Sequence, residues 1–142
     1  MVQPVQGEQG APFKFPIEQG KVLEFVESLS VRRWAHAVIP PTFLTAAFFW
    51  EARVEGADVK EAVQFDPSRS VHAEQTFIFH GPPPTVGETL TAQSRVDKIY
   101  EKTNRSGKVL TFVDVVTDYH DSSDTLRASS TMRAIEFGLE TP

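Results

Sequence analysis

Eleven residues in the middle of the chain, Pro40-Pro41-Thr42-Phe43-Leu44-Thr45-Ala46-Ala47-Phe48-Phe49-Trp50, constrain the fold more than any others. Proline suits the first turn of a helix, and the residue before it is pushed out of the helical region. Thr42 is placed to cap a helix starting there. Phe43 to Trp50 then runs without a charge, and a helix that is apolar all round is a buried one. Spanning a bilayer takes about 20 residues, so the stretch predicts a short helix that the rest of the chain must wrap.

The totals leave room for that wrapping. A chain of 142 residues with 40% hydrophobic and 23% charged residues can build one domain with its own core. Its formal net charge of -5 argues against nucleic acid or an anionic membrane as partner. Cysteine is absent, which excludes disulfides, thiolate metal sites and cysteine nucleophiles and fits a cytoplasmic protein. The Gln/Gly/Pro-rich residues 1–12 lack the apolar run of a signal peptide. They are expected to form a flexible leader, with a single domain over 13–142.

Along the chain, Phe13 to Ile17 reads as a short edge strand interrupted by Pro16. Gln19 to Leu29 reads as an amphipathic helix, with Val22, Phe25, Val26 and Leu29 on one face. Glu51 to Ser70 is polar and irregular, a frayed helix end followed by a long loop. Val71 to His80 alternates as a strand, with Ala73, Gln75, Phe77 and Phe79 on one face and His72, Glu74, Thr76 and Ile78 on the other. Thr89 to Thr103 is a second long strand, and its phase slips near Asp97, as at a bulge. Val109 to His120 is apolar on both faces in its first half and therefore central. Leu126 to Phe137 completes a meander through turns at Asn104–Gly107 and Asp121–Asp124. The class is α+β: an antiparallel sheet with one apolar face curled around one apolar helix.

Four segments in register resemble the N-terminal type of MaoC-like dehydratase domain. They are Ile39 to Leu44, Val71 to His80, Val86 to Leu90, and Tyr100 to Lys102 with Gly107 to Val113. The match spans Phe13 to Phe137. The resemblance implies a hot-dog fold, acyl-thioester substrates on coenzyme A or acyl carrier protein, and no cofactor. It also implies a hetero- or homodimer with another hot-dog subunit. The substrate-holding subunits of (3R)-hydroxyacyl-carrier-protein dehydratases look nearest, and in those a different subunit supplies the catalytic pair.

Dehydrating a 3-hydroxyacyl thioester needs a base, an acid and a group to hold the thioester oxygen. The active branch of the family carries an Asp and a His about five residues apart, between the first helix and the central one. Here that segment, Ser30 to Val38, holds one histidine and no Asp or Glu. The resemblance therefore implies a chain that binds substrate without completing the chemistry alone. An N–H on Thr42 or Phe43, at a helix start, is placed to face a thioester oxygen. His36 and His72 are the candidates for a general base, against the plainer readings of a surface or interface residue and a strand-end residue. His72 and Gln75 are candidates for the acyl site. Arg32-Arg33 suits either the phosphates of a carrier arm or solvent. No histidine or carboxylate spacing suggests a metal site.

Overall fold

The computed structural model describes residues 6–30, 34–35, 37–59 and 63–138. Five antiparallel strands form one sheet: β1 (Phe13–Pro16), β2 (Ser70–Phe79), β3 (Thr89–Thr103), β4 (Val109–His120) and β5 (Leu126–Phe137), in the order β1-β3-β4-β5-β2. Helix α1 spans Gln19–Ser28, and a 3-10 helix, Phe43–Ala47, runs directly into the four-residue α2, Phe48–Glu51. The meander β3-β4-β5 is the one expected, with β4 in the middle.

The register explains how the concave face is made. Three rows of side chains cross the sheet from β3 to β2. The first is Ala92, Tyr119, Ala128 and Phe79; the second Ser94, Thr117, Ser130 and Phe77; the third Val96, Val115, Met132 and Gln75. Register shifts between Val96 and Lys98 on β3, and between His72 and Glu74 on β2, each leave one residue unpaired. The first is the bulge expected at Asp97. The second departs from expectation, and it overturns the assignment of His72 and Gln75 to opposite faces. With an extra residue between them, His72 pairs with Ala134 and Gln75 with Met132, two positions apart on β5 and so on one face.

The central helix is less buried than its composition implies. Phe43, Leu44, Ala47 and Glu51 are buried, whereas Phe48 and Phe49 are 52% and 60% exposed and in contact with each other. The helix thus has one buried stripe at i, i+4, i+8 rather than an apolar surface on every side. Its first turns are 3-10 because their hydrogen bonds close over three residues, from the Phe43 N–H to the Pro40 carbonyl at 2.9 Å and from the Thr45 N–H to the Thr42 carbonyl at 3.1 Å. Thr42 makes no side-chain cap. Phe43 packs against Phe15 of β1 and edge-on against Phe25 of α1, and Phe15 meets Tyr119 of β4. This aromatic cluster pins the start of the helix to the sheet.

The described half of the expected leader is not loose. The N–H groups of Gly7 and Gly10 donate to the carbonyls of Val96 and Ser94, and the Val96 N–H returns a bond to Glu8, so residues 7–10 extend the line of β1 along β3. Gly10 is buried, and a Cβ there would lie 2.2 Å from the Ala57 carbonyl oxygen. Backbone on both sides leaves that contact no flexible neighbour to yield. Gly10→Ala is therefore expected to destabilise the fold by about 1–3 kcal/mol, read as a lower urea midpoint with an unchanged m-value.

Candidate functional site

The helix stripe and the sheet rows enclose a cavity of about 790 Å³. Leu44, Ala47, Phe48 and Glu51 form its roof. Val113, Val115, Thr117 and Tyr119 of β4, with Ser130, Met132 and Ala134 of β5, form its floor, and Val71, His72 and Gln75 of β2 form one side. The volume exists because the floor residues nearest Glu51 are small. Ser94, Thr117 and Ser130 sit side by side on three adjacent strands where larger apolar residues would reach the helix.

That row is also a hydrogen-bonded network. The Ser94 hydroxyl donates to the Glu51 carboxyl at 2.7 Å and lies 2.7 Å from the Thr117 hydroxyl. A serine has one proton to give, so Thr117 is the donor in the second contact. Tyr119 donates to the Leu44 carbonyl at 3.4 Å. Burial, opposed by the Ser130 hydrogen bond and reinforced by the nearby Glu51, pushes the Tyr119 phenol up to about 12. Glu51 itself is only 7% exposed.

Among the residues expected at a site, His72 and Gln75 line the cavity, brought together by the β2 bulge. The His72 Nε2 lies 3.2 Å from the Glu74 carbonyl oxygen, so that nitrogen carries a proton and Nδ1 is the basic one in the neutral ring. Thr42 and Phe43 stand outside the lining: Thr42 is exposed, and the Phe43 N–H is spent on Pro40. His36 and Arg32-Arg33 lie outside the described residues. Glu51, Ser94, Thr117, Ser130 and Tyr119 are site residues that sequence reasoning missed. A signal for them exists, since Glu51 follows Phe43 and Ala47 at helical spacing, and Ser94 and Ser130 interrupt the apolar alternation of their strands. Among the described residues no group of His, Asp or Glu has the arrangement of a metal site, and no helix is long and apolar enough to cross a membrane.

A helix laid across a curled antiparallel sheet, over a cavity of this kind, can be set beside known proteins. The family model for the FAS1-like dehydratase domain region matches residues 5–126. The chain belongs to the FAS1-like dehydratase family. Its fold is the hot-dog fold of the MaoC-like dehydratases. C-terminally truncated HadBC, a (3R)-hydroxyacyl-ACP dehydratase complex from Mycobacterium tuberculosis, superposes with a TM-score of 0.67 at 17% identity, covering 95% of this chain and 99% of that one. The ChsH1-ChsH2 complex from the same organism gives 0.69 at 15% identity, covering 94% and 87%. A MaoC-like dehydratase from Phytophthora capsici gives 0.68 at 16% identity, covering all of this chain and 52% of that one. No curated protein matches this FAS1-like chain by sequence.

The position of Tyr119 has a pH consequence. A phenol held at about 12 in the folded chain and near 10 in the unfolded one stabilises the fold below pH 10. That stability is lost as pH rises through about 12. The shift corresponds to about 3 kcal/mol. Stability of the wild type is expected to fall more steeply over that range than that of Tyr119→Phe, with one of the chain's two tyrosines giving a delayed phenolate absorbance.

Proposed function

We propose that this chain is the acyl-thioester-binding subunit of a (3R)-hydroxyacyl-thioester dehydratase, working with a catalytic MaoC-type hot-dog partner. The observation that carries the reading is a roomy, largely apolar cavity in a dehydratase-family fold, in a chain whose segment from Ser30 to Val38 holds no carboxylate. The cavity takes the acyl chain, and the thioester sits toward the mouth beside His72 and Gln75, on coenzyme A or acyl carrier protein. The partner brings the acid and base. Support for pairing comes from the outer edge of β2, which pairs with no further strand among the described residues and where Val71 and Ile78 are exposed. An unpaired edge with apolar side chains is a template for another chain. HadBC and ChsH1-ChsH2 are themselves complexes.

A second reading is favoured by one observation: His72 and Glu51 both line the cavity. A base and a carboxyl from different elements would let a homodimer hydrate enoyl thioesters unaided.

Loss of the conjugated-thioester absorbance, followed with crotonyl and longer enoyl thioesters, separates the two. The isolated chain is expected to be inactive and to gain turnover with a MaoC-type partner. Full activity alone would overturn the first reading, and loss of that activity in His72→Ala would establish the second. Ala134→Phe, which projects a ring into the cavity, is expected to keep the fold and lose thermal stabilisation by acyl thioesters.

A further inference from the structure

The polar groups that line the large cavity are of two kinds. Those beneath the helix are engaged within the protein: Ser94 donates to Glu51, the Thr117 hydroxyl lies 2.7 Å from that of Ser94, and Thr45 donates to the Thr42 carbonyl. The side-chain amides of Gln64 and Gln75, also in the lining, have no hydrogen-bond partner among the described residues. The lining residues that are also exposed include Gln64, Val71 and His72, so the cavity opens to solvent beside these amides.

Gln64 has a second peculiarity, in its backbone. Its φ is +50°, and of the non-glycine residues with positive φ among the described ones, Ser30, Gln64 and Asp124, it alone lines the cavity. Glycine adopts that region freely, and Asn or Asp offsets the cost with a short side chain that bonds locally; glutamine does neither. The conformation is imposed from both sides. Val63 and Phe65 pack into the apolar cluster of Val96, Val113 and Val115, and the Asp66 N–H donates to the Glu136 carboxylate at 2.6 Å. Strained residues held in this way cluster at ligand sites.

We infer that Gln64, with Gln75, recognises the secondary amides of the arm that carries the acyl thioester, the phosphopantetheine portion common to coenzyme A and acyl carrier protein. A side-chain amide offers both donors and an acceptor without charge, which is the complement of another amide. The inference rests on the acyl-thioester reading above and deepens it.

The test varies the ligand first, so it does not depend on any variant. The full-length chain is titrated calorimetrically with octanoyl-pantetheine and with an isostere whose arm has esters in place of amides, which keeps the length and removes the N–H donors. The isostere is expected to bind roughly tenfold more weakly, as the loss of one or two neutral hydrogen bonds gives. Gln64→Gly removes the side-chain amide and relieves the backbone. It is expected to raise the urea midpoint, to weaken octanoyl-pantetheine about fivefold, and to leave the isostere unchanged. Octanoyl-CoA and octanoyl-acyl carrier protein are expected to lose affinity for the variant by the same factor, and a loss confined to one carrier overturns the assignment to the shared arm. Equal affinity of the wild type for both arms, or a Gln64→Gly chain that binds both as the wild type does, overturns the inference while leaving the acyl-thioester reading intact. If no thioester binds, that reading fails, and the subsite is judged by NMR titration with pantetheine alone against its ester isostere. A preference for the amide arm sustains the subsite, and parity or the absence of binding by either overturns it.

Discussion

The distance between the central helix and the sheet decides the rest of this structure. At one end the helix is held down by aromatic contact, Phe43 against Phe15 and Phe25, with Tyr119 behind them. Two turns later the stripe that faces the sheet ends in a carboxyl group, Glu51, over three hydroxyls. Apolar surfaces close on one another because contact removes both from water. Small polar residues opposite a carboxyl group do not close in the same way, since only their hydrogen-bonding atoms draw them together. The helix is therefore tight at its start and spans open space beyond it.

This division also accounts for how the chain hides its polar groups. Among the described residues, no buried side-chain nitrogen or oxygen lacks a hydrogen-bond partner. On the convex face the buried Asp114 is held by Arg133 through two nitrogen–oxygen contacts of 2.8 and 3.0 Å. On the concave face the same need is met by neutral hydroxyls. An arginine fork fills its own surroundings, whereas serine and threonine leave them open. The two faces of one sheet thus use different chemistry, and the concave one holds the cavity.

Much of this is legible in the residues. Long strands reveal themselves by alternation and by the turns between them, and the meander, the central place of β4 and the bulge at Asp97 come from that pattern. The family resemblance joins these elements into a hot-dog fold. The rest is set by tertiary contact. The exposure of Phe48 and Phe49 depends on where the sheet stops, which hydropathy cannot report. The pairing of residues 7–10 with β3 is made by backbone groups in a segment rich in glycine and glutamine, where side chains carry little information. Glu51 reads as part of a frayed end because it is charged, though its spacing from Phe43 and Ala47 places it on the buried stripe. Of the candidate site, family likeness points to His72 and Gln75, while the reason that they share a face lies in a bulge that the alternation does not reveal.

The two bulges bear on how such a cavity arises. They sit on β3 and on β2, on opposite flanks of β4 and β5, and each adds one residue to a strand whose neighbour has none to match. Bulged strands bend and twist more strongly than regular ones, and a third shift, between Tyr119 and His120 where β4 pairs with β5, interrupts the ladder toward the other end of the sheet. Beyond the bulges the alternation resumes one step out of phase, and residues that would have faced solvent face inward. Without the extra residue on β2, His72 and Gln75 would fall on opposite faces of the sheet, and only one of them could line the cavity.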